Sequence, residues 1–266
     1  MTAPGPDHAP AGGPAAPVAL VTGGQQGIGL GIATALGQAG FRLAIAALPG
    51  RDDPAVEAAL ALLPPGTLYV SHDISGIDRA PALLDAVEET LGPVDTLVSN
   101  AGIPARVRGD LLDLAPESFD AVLSVNTRGT FFLAQACARR MLAHPGPHYR
   151  SLVFVTSVSA TMASPERGEY CISKAASAMT AQLMALRLAP HGIGVFDLRP
   201  GIIATPMTAP VTARYDDRIR DGLVPAGRWG LPEDIGRTVV SLATGQFAFA
   251  TGAVIPVDGG LSIPRL

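Results

Sequence analysis

The chain is poor in the residues that would cross-link it, anchor it or charge it. Two cysteines, Cys137 and Cys171, in 266 residues cannot form a disulfide framework or a cysteine-rich metal site. Both fall in stretches of helical composition and read as small buried hydrophobes. Charged residues make up 16% of the chain and the formal net charge is −4, which gives no electrostatic reason to expect nucleic acid or an anionic membrane as partner. No uninterrupted apolar run approaches the roughly 20 residues that span a bilayer. Residues 1–17, rich in Pro, Ala and Gly, lack the basic and apolar regions of a secretory signal, so a disordered tail is expected there. A reduced, cytoplasmic setting is expected for the protein. His144 and His148 have the spacing of a zinc pair, but Pro145-Gly146-Pro147 between them breaks the helix that spacing needs, and no metal site is expected.

What the chain does have is alternation. Short apolar runs recur at 18–22, 41–47, 67–71, 94–98, 151–155, 193–198 and 253–257. Helix-like stretches fill the gaps at 27–39, 53–62, 78–91, 116–142, 168–190 and 232–243. This order predicts an α/β protein, a single doubly wound domain over 18–266 with a seven-stranded parallel sheet and helices on both faces. Ligands on such sheets bind beyond the carboxyl ends of the strands, where Gly23, Asp73, Asn100, Ser157 and Pro200 fall. The segment 204–226 is long and mixed in character, which predicts a substrate loop rather than a plain connection.

Two local patterns carry chemistry. The run Val18-Ala19-Leu20-Val21-Thr22-Gly23-Gly24-Gln25-Gln26-Gly27-Ile28-Gly29 reads as strand, glycine-rich turn and helix start. Its glycines allow left-handed backbone and leave room for a pyrophosphate against the amides of a helix N-terminus. The spacing is Gly-x-x-x-Gly-x-Gly, and a tight strand–helix connection would use glycine in the same way. The second pattern is Tyr170-Cys171-Ile172-Ser173-Lys174, thirteen residues after Ser157. Positions i and i+4 share a helix face, so an ammonium can sit beside a phenol. A nearby cation favours phenolate and suits a phenol to general acid/base work on a carbonyl or carbinol oxygen.

Taken together, these patterns resemble the short-chain dehydrogenase/reductase family. Asn100-Ala101-Gly102, Val125-Asn126-Thr127-Arg128-Gly129, Arg199-Pro200-Gly201 and the ending Val257-Asp258-Gly259-Gly260 extend the likeness over nearly the whole chain from Val18. The resemblance implies a tetrad of Asn126, Ser157, Tyr170 and Lys174. In it Tyr170 exchanges a proton with the substrate oxygen and Ser157 orients that oxygen. Lys174 holds the nicotinamide ribose, and Asn126 holds a relay water. It further implies cofactor contacts from Gly23, Gln25, Gln26, Gly27, Ile28 and Gly29 at the pyrophosphate, and from Asp73 and Ile74 at the adenine. Asn100, Ala101 and Gly102 would pass beside the adenosine ribose and central cofactor, and Pro200, Gly201, Ile203 and Thr205 would pack on the nicotinamide. A strand-end role for Ser157, a helix-kinking role for Asn126 and a solvated loop role for Asp73 are the plainer alternatives.

At the end of the second strand, Ala47 stands where relatives that prefer NAD carry an acid. With Arg51 close in sequence, NADP(H) is favoured and NAD(H) stays open. The expected activity is that of a carbonyl reductase or secondary alcohol dehydrogenase acting on a small ketone or alcohol, with a 3-oxoacyl thioester or a sugar or polyol as alternative substrate. Arg106, Arg167 and Arg214 are candidates to meet an anionic substrate. A nucleotide sensor without catalysis would be expected to lack a tetrad member. An extended-family epimerase would need more chain after Gly260 than is present here. The resemblance also implies a homotetramer, for which the alanines at 134, 136, 138, 175, 176 and 178 offer close-packing faces.

Overall fold

A computed structural model describes residues 16–209 and 212–265, so the tail expected over 1–17 lies outside the described residues except for Ala16 and Pro17. Seven strands form one sheet in the order β3-β2-β1-β4-β5-β6-β7, every pairing parallel. They are β1 (Val18–Thr22), β2 (Arg42–Ala47), β3 (Leu68–Ser71), β4 (Thr96–Ser99), β5 (Arg150–Val155), β6 (Ile193–Pro200) and β7 (Val254–Val257). The helices are α1 (Gly27–Gln38), α2 (Pro54–Leu62), α3 (Ala80–Leu91), α4 (Pro116–Leu123), α5 (Thr130–Ala143), α6 (Gly168–Leu188), α7 (Thr212–Arg220) and α8 (Pro232–Ala243).

The strands read as apolar runs because both faces of the sheet are covered. Along β1, Val18 and Leu20 enter one core with α3, α5 and α6, while Ala19 and Val21 enter a second core with α1, α2 and α8. Successive side chains point to opposite faces, so a buried parallel strand needs no polar alternation. Helices α1 and α8 approach closely because Gly236 has no side chain: a Cβ there would lie 2.6 Å from the Gly31 carbonyl oxygen.

The strand order reverses between β1 and β4, the topological switch point at which such sheets open a crevice. Thr22 fastens the two strand ends together. Its Oγ1 accepts from the Asn100 and Ala101 amides, each at 3.0 Å, and the Asn100 side-chain amide donates to the Thr22 carbonyl at 2.9 Å.

Two departures from the sequence reading matter for the site. The expected helix over 116–142 is interrupted by a π turn, Ser124–Gly129, which separates α4 from α5. The segment 204–226 contains the helix α7, which buries Ile219 and leaves most of its length exposed.

Helix α8 starts without a capping hydroxyl. Asp234 reaches back across the first turn to accept the Leu231 amide at 2.9 Å and also binds Arg228 at 2.7 Å. The hydrogen bond from Arg228, then that from Leu231, lowers the Asp234 pKa to about 2. The folded value lies below the unfolded one of about 3.9, so this contribution is full above that pH and is lost as pH falls through about 2. Asp234→Ala is expected to cost about 1 kcal/mol near neutrality. Denaturant titrations at several pH values should show the gap to wild type closing between pH ~4 and ~2.

Candidate active site

The crevice over the carboxyl ends of the strands has a volume of about 580 Å³. It is lined by Gly23, Gln25, Gln26, Gly27, Ile28, Gly29, Asp73, Ile74, Asn100, Ala101, Gly102, Ser157, Tyr170, Lys174, Pro200, Gly201, Ile203 and Thr205. Residues from the ends of five strands and from helix α6 therefore meet in one place. Two of the expected residues do not line it. Asn126 lies one layer behind, and Arg51 is exposed on the surface, lining a separate depression with Asp52, Glu57 and Leu60.

The glycine turn forms one wall. Gly23 and Gly27 adopt φ of 67° and 51°, a region that side chains disfavour. A Cβ on Gly29 would fall 2.0 Å from the Gly23 carbonyl oxygen, so the turn closes only with hydrogen at that position. Helix α1 has no capping side chain and no acid in its first turn. Its first amides thus face the crevice without a partner from a cap, an arrangement that suits an anion such as pyrophosphate.

At the opposite wall, α6 presents Tyr170 and Lys174 on one face. The Lys174 Nζ is 7% exposed as a residue, donates to the Val155 carbonyl at 3.1 Å and lies 5.7 Å from the Tyr170 ring centre. An ammonium has three donors, so two remain for a ligand. Ser157, which follows β5, accepts the Ser159 amide at 3.0 Å and keeps its own proton to donate. The strand-end role and a site-facing role are thus compatible in one hydroxyl.

Asn126 occupies the π turn. Its Oδ1 accepts the Ile103 amide at 2.8 Å, and its Nδ2 donates to the Ile103 carbonyl and to Ser173 Oγ, each at 3.0 Å. Ser173 Oγ in turn donates to the Tyr170 carbonyl at 2.8 Å. A Cβ on Gly102 would sit 3.1 Å from Asn126 Oδ1 and 3.6 Å from Lys174 Nζ, so the loop after β4 is threaded between them. Turns of the π type recur at functional sites. Gly129, the last residue of this one, meets the Ile74 backbone, where a Cβ would come within 2.4 Å of the carbonyl oxygen.

At the far end, Asp73 Oδ1 accepts both the amide and the hydroxyl of Ser75, at 2.9 and 2.7 Å. The Ser75 hydroxyl bond is the main reason its pKa is lowered. Its other oxygen lies 3.7 Å from Arg79. His72 lines the same end, with its pKa lowered first by burial. The sequence assigns no role to His72, Thr22 or Ser173: Thr22 and Ser173 stand inside the two runs that carry chemistry but gain their roles only from contacts in space, and His72 belongs to no recognisable spacing. Of the three arginines it singled out, only Arg167 lines the crevice; Arg108 and Arg218 do so where Arg106 and Arg214 do not.

The chain matches a family model described as enoyl-(acyl carrier protein) reductase over residues 23–262. It is 33% identical to gluconate 5-dehydrogenase of Gluconobacter oxydans, over 92% of this chain and 94% of that one. It is 34% identical to the 3-oxoacyl-(acyl carrier protein) reductase MabA of Mycobacterium tuberculosis, over 92% of each. Among solved structures, a 3-oxoacyl-(acyl carrier protein) reductase from Brucella melitensis in complex with NAD superposes with a TM-score of 0.90. That protein is 49% identical, and the match covers 94% of this chain and 99% of the other. The chain belongs to the short-chain dehydrogenase/reductase family. It is an oxidoreductase acting on CH–OH or C=O groups with a nicotinamide dinucleotide.

Proposed function

We propose that this protein interconverts a ketone and a secondary alcohol, with Tyr170 as the general acid/base and Ser157 and Lys174 arranged around it. The observation that carries this reading is the meeting of Tyr170, Lys174 and Ser157 in the same crevice as the uncapped N-terminus of α1. The nicotinamide, when bound, supplies or accepts the hydride. Tyr170 gives its proton to the substrate oxygen in reduction and recovers it in oxidation. Ser157 donates to the same oxygen and fixes its direction. Lys174 turns its two free donors to the ribose hydroxyls and keeps a positive charge beside the phenol. Asn126 acts first by position, holding Ile103 on one side and, through Ser173, the start of α6 on the other. Its carbonyl accepts Ser177 Oγ at 2.8 Å and retains a second lone pair for the water of the implied relay.

Gln25, Gln26, Gly27 and Ile28 would hold the pyrophosphate, Asp73 and Ile74 the adenine, and Thr205 with Pro200, Gly201 and Ile203 the nicotinamide. We favour NADP(H): the carboxyl end of β2 offers Ala47 and Leu48, so no carboxylate there repels a 2′-phosphate. With Arg51 on the surface, that preference rests on the missing acid alone, and the Brucella melitensis protein was crystallised with NAD. The segment 204–226 serves as the substrate loop, with Met207, Tyr215 and Arg218 facing the crevice. A homotetramer is supported by the exposed apolar stripe on α6, Ile172, Met179, Leu183 and Leu186, and by the exposed Ala175 and half-buried Ala136 and Ala176, whereas Ala134, Ala138 and Ala178 are buried within the chain. We place the protein in a reducing compartment such as the cytoplasm, for which the two free cysteines, Cys137 and Cys171, are suited.

The decisive experiment follows cofactor absorbance with a panel of ketones and alcohols and each cofactor. Turnover with higher kcat/KM for NADP(H), by a protein whose solution mass is four chains, is the expected result. A purified protein that binds the cofactor but oxidises or reduces nothing would return the sensor reading, and a strong preference for NAD(H) would reverse the cofactor assignment.

A further inference from the structure

The charges around the substrate half of the crevice are of one sign. Beyond Ser157 and Tyr170 the lining includes Arg108, Arg167 and Arg218 and no carboxylate. Asp73, the acid that lines the crevice, sits at the other end and is held by Ser75 and Arg79. Among the described residues none of these three arginines forms an ion pair, whereas the neighbouring Arg214 lies 3.8 Å from Glu166.

Arg167 is the best placed of the three. It precedes Tyr170 by three residues, and its guanidinium carbon lies 5.3 Å from the Tyr170 ring centre. Its Nη2 donates to Ser159 Oγ at 3.1 Å and its Nε to Ser164 Oγ at 3.3 Å. Ser159 is itself buried and bonded through its amide to Ser157. Two hydroxyls therefore fix the guanidinium without neutralising it, and three of its five N–H groups remain for a ligand. An oriented, half-buried and unpaired arginine is suited to a planar or tetrahedral anion.

Resting on the oxidoreductase reading of this same site, we infer that the substrate carries an anionic group, which Arg167 binds next to the reacting carbonyl or carbinol. Arg108 and Arg218, both exposed, add attraction at the mouth of the crevice. The shared chemistry is a carboxylate or a phosphate a few bonds from the oxygen handled by Tyr170, as in an oxo or hydroxy acid or a phosphorylated keto compound.

The test compares matched substrates with the cofactor-bound enzyme: acetoacetate with its ethyl ester, pyruvate with its ethyl ester, and dihydroxyacetone phosphate with dihydroxyacetone. Wild type is expected to favour the anionic member of at least one pair by roughly 10- to 100-fold in kcat/KM, the usual worth of a hydrogen bond to a charged group. Which pair responds distinguishes carboxylate from phosphate. Arg167→Gln should bring that ratio close to one, mainly through KM of the anionic member, and Arg167→Lys should restore part of it. General damage to the fold would lower both members of a pair alike and leave the ratio standing, which would overturn the inference. Tyr170-dependent turnover of the neutral members at equal or higher efficiency in wild type would also overturn it while leaving the oxidoreductase reading intact. No turnover of any member with either cofactor would remove both.

Discussion

Tyr170→Phe is expected to lower kcat by about 10²–10⁴-fold, the range over which a positioned acid/base contributes, while leaving cofactor affinity within a few-fold of wild type. The side chain is partly buried in α6 beside the cations of Lys174 and Arg167, and among the described residues its hydroxyl makes no hydrogen bond on which folding would depend. Loss of the oxygen therefore removes a proton donor and little packing. The measurement is a single-turnover rate alongside a cofactor titration, because the first reports chemistry and the second the integrity of the crevice. A variant with near wild-type turnover would force the proton to come from elsewhere. Loss of cofactor binding together with activity would instead mean that the phenol is a structural strut.

The second large effect is expected at Gly29→Ala. The added carbon would meet the Gly23 carbonyl oxygen at 2.0 Å and the Asn100 side-chain nitrogen at 2.6 Å. Neither can swing aside cheaply. The carbonyl belongs to the turn itself, and the Asn100 amide is bonded to the Thr22 and Gly23 carbonyls that close β1 against β4. Overpacking of this kind costs about 1–3 kcal/mol, and displaced amides at the start of α1 would no longer converge on one anion. Cofactor affinity should fall roughly 10- to 100-fold, with a lower melting temperature measured in parallel. Unchanged affinity would show that the pyrophosphate is held elsewhere.

Much of this was legible in the chain before any coordinates. Strands such as β1, β5 and β6 announce themselves because both faces are buried, leaving short apolar runs that stop at Gly, Ser or Pro. The glycine turn and the Tyr170/Lys174 pair were visible because each depends on spacing along the chain. What could not be read were features set by direction. Arg51 is near in sequence to the end of β2, yet it lines a separate depression with Asp52, Glu57 and Leu60 rather than the crevice. Arg108 and Arg218 face the crevice while Arg106 and Arg214, equally basic and close by, do not. Helix α7 escaped notice because it buries only Ile219 among its described residues, too little to impose an apolar period on Thr212–Arg220. The π turn escaped because widening one turn alters the ladder, not the composition.

That widened turn has a consequence for how the chain can change. Upstream of it α4 buries Ser118 and Val122, and downstream α5 buries Thr130, Leu133, Ala134 and Cys137. Between them Asn126 must meet Ser173 while Gly129 slides past Ile74. Deleting one residue from 124–129 would let the wide turn close to an ordinary α turn, leaving α5's buried side in place but drawing Asn126 and Gly129 off Ser173 and Ile74. The number of residues there is therefore a firmer constraint than most of their identities, and an engineer could vary letters in this stretch far more safely than count.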